Sequence, residues 1–256
     1  MGKNKLKKFR EMETFQNVYQ CAMRELDNPD APVWLKGNWH DKVFHNSNPI
    51  VLELGCGHGE YTVGLARRRP DCNFIGIDIK GARIWAGAKQ AVEDGMQNVA
   101  FLRTNIELLP RFFDKDEVSE IWITFPDPQM KKATKRLTST FFMERYRQLL
   151  APGGQIRLKT DSPFLYTYTR EMVRLNALPV LADTEDLYGP GTDGAAYEEA
   201  KALQTHYEHQ WLDRGMNIKY LAWELRIPEA WQEPEIEIEK DSYRSYGRNY
   251  VSPTNH

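Results

Sequence analysis

Asp127 stands between Pro126 and Pro128, directly after the apolar run Ile121–Thr124. Proline fixes φ and removes freedom from the unfolded chain, so a carboxylate in this turn keeps its geometry. Lys131, Lys132, Lys135 and Arg136 crowd into the following positions, and no acid follows Asp127 until Glu144. One anchored acid beside a cationic strip suits a site that holds a polar base and neutralises the phosphates around it. A solvated loop before a helix is the plainer alternative for the strip.

The reactive group has to come from elsewhere, and a glycine loop upstream can supply it. Leu54-Gly55-Cys56-Gly57-His58-Gly59-Glu60 follows the apolar run Ile50–Leu54. A dinucleotide fingerprint would need glycine at position 60, where an acid would repel the pyrophosphate seated on the helix N-terminus. A cationic sulfonium cofactor with no phosphate suits the loop better, and Glu53 favours such a cation. Asp78 ends the next apolar run, 23 residues after Gly55, where a carboxylate takes ribose hydroxyls. Asn105 follows the third run and offers both a donor and an acceptor to an adenine edge. Together Glu53, Gly55, Gly57, Gly59, Asp78 and Asn105 describe an S-adenosylmethionine site. The alternative is a tight strand-to-helix turn, with Asp78 and Asn105 as helix caps.

These residues need a scaffold that sets strand ends side by side. Apolar runs at 50–54, 73–77, 99–102, 121–124 and 155–159 alternate with helical patterns at 61–69, 82–93, 106–113 and 139–150. That alternation predicts βαβ units and a mostly parallel sheet with helices on both faces. Ala151-Pro-Gly-Gly154 predicts a helix stop, and Ser162-Pro163 an N-cap with proline at the first helical position. A Gly- and Asp-rich loop at 188–195, a helix near 206–214 and a strand over 217–225 complete the domain, expected to span 45–228. Residues 1–44 predict a basic arm and a helix over about 12–26. Residues 229–256 predict a polar tail, with the Glu235–Glu239 alternation a candidate edge strand.

The 256 residues are 41% hydrophobic and 27% charged, which fits one large domain with extensions. No window is apolar enough for a membrane span, and no secretory core opens the chain. Cys21, Cys56 and Cys72 show no metal-ligand spacing, so free thiols in a reducing, cytoplasmic setting are expected, with no metal. Net charge is −2, yet residues 1–10 hold five cations and no acid, leaving −7 for the rest. Local patches, more than the sum, govern phosphate binding.

The motifs V-L-E-L-G-C-G-H-G-E, F-I-G-I-D, F-P-D-P-x-x-K-K-x-x-K-R-L-T, L-x-P-G-G, K-T-D and T-x-Y-E lie between about residues 50 and 226. This set resembles the tRNA (guanine-N7-)-methyltransferase family of bacterial type. The resemblance implies a seven-stranded Rossmann-like class I methyltransferase sheet and transfer of a methyl group from S-adenosylmethionine to N7 of a variable-loop guanine in tRNA. It implies that Glu53, Asp78, Asn105 and Asp127 serve the cofactor, with Asp127 also catalytic. It implies that Lys131, Asp161, Thr205, His206, Tyr207 and Glu208 meet substrate, and that positions 131–136 contact RNA. Gln129 replaces an aromatic residue common in the family, and Ala133-Thr134 a more basic pair.

Guanine N7 has an in-plane lone pair and no proton, so its methylation needs no general base. That agrees with the lack of a Ser/His/Asp, Cys/His or H-E-x-x-H arrangement. A carboxylate at Asp127 would favour the positive charge the base acquires, with Asp161 or Glu208 sharing the work. Thr205-x-x-Glu208 also reads as a capping box for the helix near 206. Trp34, Trp39, Trp122, Trp211 and Trp223 are candidates for base stacking, although most fit a core. A methyltransferase for protein or small molecules, an RNA-binding protein with a vestigial cofactor fold and a nicotinamide dehydrogenase are the competing readings. A tRNA partner is expected, without membrane, as a monomer or homodimer.

Overall fold

The computed structural model describes residues 3–21, 23–28 and 31–242. The apolar runs become β2 (Ile50–Leu54), β3 (Asn73–Ile77), β4 (Val99–Arg103), β5 (Val118–Thr124) and β6 (Leu150–Thr160). These five pair with one another in parallel, because each is reached through a crossover segment. The crossovers include α2 (Glu60–Arg68), α3 (Gly81–Glu93) and α4 (Thr140–Tyr146). After α5 (Pro163–Leu175) come β7 (Val180–Thr184), α6 (Ala195–Lys201), α7 (His206–Leu212) and β8 (Lys219–Glu224). β8 slots between β6 and β7, antiparallel to both.

The strand order is β1-β4-β3-β2-β5-β6-β8-β7, where β1 is Val18–Gln20. The chain winds from β2 through β3 to β4, then returns to lay β5 on the other side of β2. That reversal opens a crevice at the carboxyl ends of β2 and β5, where α/β sheets bind ligands. Side chains alternate across the sheet. Leu52 and Leu54 join the core beneath α4 and α5, whereas Val51 joins the core beneath α2 and α3. Glu53 shares the parity of Val51 and therefore faces α2.

Several expectations need correction. The N-terminal helix is α1 (Lys3–Met12), not 12–26. Leu6, Phe9 and Met12 recur at three-residue spacing, and Met12 is buried. Val18 and Tyr19 favour a strand, and β1 extends the sheet beside β4 as an eighth strand beyond the seven implied. Residues 106–111 form a 3-10 turn carrying Pro110 instead of an α-helix. Ala151–Gly154 lies within β6 at a register shift, with α4 ending at Tyr146. α6 fills the interval between the expected loop at 188–195 and the helix near 206, where no element was expected. Residues 235–239 form no strand; Ile238 packs on the core while Ile236 is exposed. The rest of the tail expectation, 243–256, lies outside the described residues. Trp39, Trp122 and Trp223 are fully buried, as a core role requires, and Trp34 is half exposed.

Candidate active site

Glu53 sits at the crevice between β2 and β5. The Thr62 backbone N donates to Oε2 at 2.8 Å, and its hydroxyl donates to the same oxygen. Thr124 Oγ1 on β5 donates to Oε1 at 2.7 Å. Burial pushes the Glu53 carboxyl up to about 7, against these bonds, which favour the charged form. The glycine loop rises directly above it. Gly55 takes φ +75°, which favours glycine, and its N donates to the Ile77 carbonyl at 2.7 Å. Gly59 answers to space: a Cβ there would lie 2.8 Å from the Phe101 ring. Asp78 at the end of β3 accepts from Gly57 N at 3.1 Å and Lys80 N at 2.8 Å, bracing the loop against the strand beside it.

A cleft of about 470 Å³ opens here, lined by Glu53, Gly55, Gly57, Asp127 and the segment Thr205–Tyr207 among others. Cys56 also lines it; burial, Glu53 and Asp78 push its thiol well up. The neutral thiol is a poor competitor for an electrophile in the cleft.

Asp127 is exposed and held by its own turn. Its Oδ1 accepts from Gln129 N at 2.9 Å. Phe125 and Gln129 flank it, both at φ +47°, a region costly for side chains. The surroundings enforce this: Phe125 N donates to the Lys159 carbonyl at 2.8 Å, and Arg136 donates to the Gln129 and Met130 carbonyls at 3.3 Å. The Arg136 guanidinium stacks over Phe164 and Tyr168, 4.8 and 4.3 Å from their centroids.

The opposite wall is the start of α7. Thr205 Oγ1 accepts from Glu208 N at 3.2 Å, the cap that the sequence spacing implies. Glu208 does not complete the box. It is fully buried, pairs with Lys159 Nζ at 2.7 Å and accepts from Tyr188 OH at 2.6 Å. Lys159 also donates to the carbonyls of Ala200 at 2.7 Å and Leu203 at 2.9 Å, tying the α6–α7 connection to β6. Burial lowers the Lys159 ammonium to about 8, although Glu208 opposes the shift. Glu60 accepts from His206 N at 2.8 Å, and the Tyr207 ring packs edge-on against Phe125 at 5.9 Å. The two walls therefore touch over the cleft.

Residues 47–221 match a family model described as a putative methyltransferase. The tRNA (guanine-N(7)-)-methyltransferase of Porphyromonas gingivalis is 59% identical over 239 residues, covering 93% of this chain and 97% of that one. The chain belongs to the tRNA (guanine-N7-)-methyltransferase family. The enzyme of that name from Clostridium acetobutylicum is still 35% identical, over 75% of this chain and 88% of its own. Among solved structures, the 16S rRNA methyltransferase KamB superposes with a TM-score of 0.56 at 14% identity, covering 73% of this chain and 92% of that chain. That likeness concerns the fold alone.

Of the expected site residues, Glu53, Gly55, Gly57, Asp127, Thr205, His206 and Tyr207 meet in one cleft. Asp78 and Gly59 brace it from behind. Asn105 lies at the end of β4, before the turn at 106–111, and is not part of the lining. Asp161 is fully buried between β6 and α5, with Lys219 donating to its carbonyl at 3.4 Å. Lys131 and Lys132 are exposed, as phosphate contacts must be. Lys135 pairs with Glu107 at 3.0 Å. Arg136, expected on phosphate, is buried, because its cation is spent on two carbonyls and two rings of its own fold. Thr62, Thr124, Glu60 and Lys159 were not singled out as site residues. Only the parity of Glu53 pointed to the helix face where Thr62 lies; the other partners are distant in sequence. No described helix is long and apolar enough to cross a membrane. Among the described residues no His, Cys, Asp or Glu group is arranged to hold a metal.

Proposed function

We propose that this cleft holds S-adenosylmethionine against a variable-loop guanine of tRNA, with Asp127 as the catalytic carboxylate. The supporting observation is that a buried acid, a phosphate-free glycine cradle and the Asp127 turn open into one cleft. The cradle fits the cofactor: Cβ positions on Gly55 and Gly57 would meet only open space or a backbone oxygen 3.9 Å away. When bound, S-adenosylmethionine supplies a methyl group on a sulfonium, ready for an in-line nucleophile. Glu53, with Gly55, Gly57 and Gly59, receives the cationic amino acid end. Asp78 retains lone pairs for ribose hydroxyls, and Asn105 serves the adenine.

Asp127 accepts hydrogen bonds from the guanine N1 and N2 edge and stabilises the charge as N7 becomes cationic. Its turn keeps that oxygen in place before substrate arrives. Tyr207, 43% exposed, offers a ring face for stacking the base. Thr205, His206, Glu208 and Asp161 shape the same substrate side, and Lys131 and Lys132 neutralise flanking phosphates. Residues 45–228 form the catalytic unit, with described parts of the flanking segments packed on it. The enzyme acts in the cytoplasm, as a monomer or homodimer. Labelled methyl transfer to tRNA, against protein and metabolite pools, tests this reading. Label mapping to N7-methylguanosine in the variable loop is expected; label in protein or metabolites alone would overturn it.

A further inference from the structure

Downstream of the sheet, residues 231–241 run along α4 and α5 as a strap. Trp231 Nε1 donates to Glu144 at 3.0 Å. Gln232 exchanges hydrogen bonds of 2.8 Å with Asn176 in both directions. Glu233 accepts from Thr140 N at 3.2 Å and Thr140 Oγ1 at 2.6 Å, and from the Tyr168 hydroxyl. Farther along the strap, Asp241 is buried. Its Oδ1 accepts from Phe164 N at 3.0 Å, and its Oδ2 from the Ser162 hydroxyl. A carboxylate there sits at the N-terminus of a 13-residue helix, complementing free N–H groups and the macrodipole. The Asp241 backbone N, in turn, reaches Met130 Sδ at 3.3 Å.

These contacts close a circuit. Asp241 joins the start of α5 to Met130; Met130 and Gln129 are held by Arg136; Arg136 stacks on Phe164 and Tyr168 of α5; Tyr168 binds the strap at Glu233. Asp127 is hydrogen-bonded to Gln129 within this ring, and Asp161 immediately precedes Ser162. The strap thus reaches the neighbours of Asp127 and Asp161, two of the three acids assigned to the guanine side, through Met130 and Ser162.

We propose that Asp241 is a positioning residue for methyl transfer, setting the Asp127 turn and the Asp161 junction through α5 and Met130. The inference rests on the methyl-transfer reading of the cleft. It divides the site in two: the guanine side depends on the strap, whereas Glu53, the glycine loop and Asp78 on the cofactor side do not, and Asp127, expected to serve both, is the residue the two sides share.

The test is steady-state methylation of tRNA by the full chain, with cofactor affinity measured separately by calorimetry. Asp241→Ala is expected to lower kcat/KM for tRNA about tenfold or more, the scale of a small misplacement of reacting groups. The cofactor Kd is expected to stay within about twofold, and Asp241→Asn, which keeps one acceptor, to recover to within about threefold of wild type. Glu233→Ala loosens the far end of the strap and is expected to give the same split at smaller size, which decides the matter if Asp241→Ala does not fold. Wild-type kcat/KM in a folded Asp241→Ala protein, or equal losses on the tRNA and cofactor sides, would overturn the proposal. A wild-type protein inactive on tRNA would instead strike the functional reading itself.

Discussion

At the level of single residues, Glu53 has the most informative environment. Burial pushes its carboxyl up to about 7, above the ordinary Glu range. The raised value stabilises the fold fully below the unfolded pKa, and that contribution is lost as pH rises through about 7. A cation in the cleft reverses the preference, since only the ionised form attracts it. S-adenosylmethionine affinity is therefore expected to strengthen about tenfold between pH 6 and pH 8. Calorimetric titration across that range checks it, with Glu53→Gln flattening the dependence. Glu53 was legible in the sequence by its place before the glycines. Its clamp was not, because Thr62 and Thr124 are joined only by the parallel pairing of β2 with β5 and the return of α2. Arg136 was misread for a related reason: in sequence it is one cation of four, and only α5 supplies the rings that bury it.

Among the elements, β6 and α7 meet through a buried ion pair. Lys159 to Glu208 is fully enclosed, so removing one partner strands the other. Lys159→Met is expected to cost about 3–5 kcal/mol of stability, with Lys159→Met combined with Glu208→Gln recovering part of that. Denaturant unfolding of the three proteins measures it. The sequence displayed β2, β3, α5 and α7 well, since they follow apolar periodicity and cap signals, but not α6 or the start of β6. It hid β1 and the strap at 231–241, where short polar-flanked segments acquire order only from partners on β4, α4 and α5. The Thr205 cap was readable from spacing, but the inward turn of Glu208 toward Lys159 was not.

For the whole molecule, charge is partitioned. The chain is weakly acidic overall, yet Lys131 and Lys132 stand exposed beside the cleft where a phosphate backbone would pass. Neutralising both is expected to reduce the salt slope of tRNA binding by about one per charge, read from affinity across a range of salt concentrations. Arg136→Ala is expected to leave that slope nearly unchanged and to lower thermal stability instead. On the proposed reading, the sheet edge brings a cationic methyl donor, a fixed carboxylate and an RNA grip to one opening, so that positioning and charge carry the reaction without a general base. The most direct measurement is the single-turnover rate of N7-methylguanosine formation by Asp127→Asn, with tRNA and S-adenosylmethionine both saturating. A fall of about a hundredfold or more is expected, as for loss of a preorganised charge-stabilising group. A rate close to wild type would contradict the assignment of Asp127.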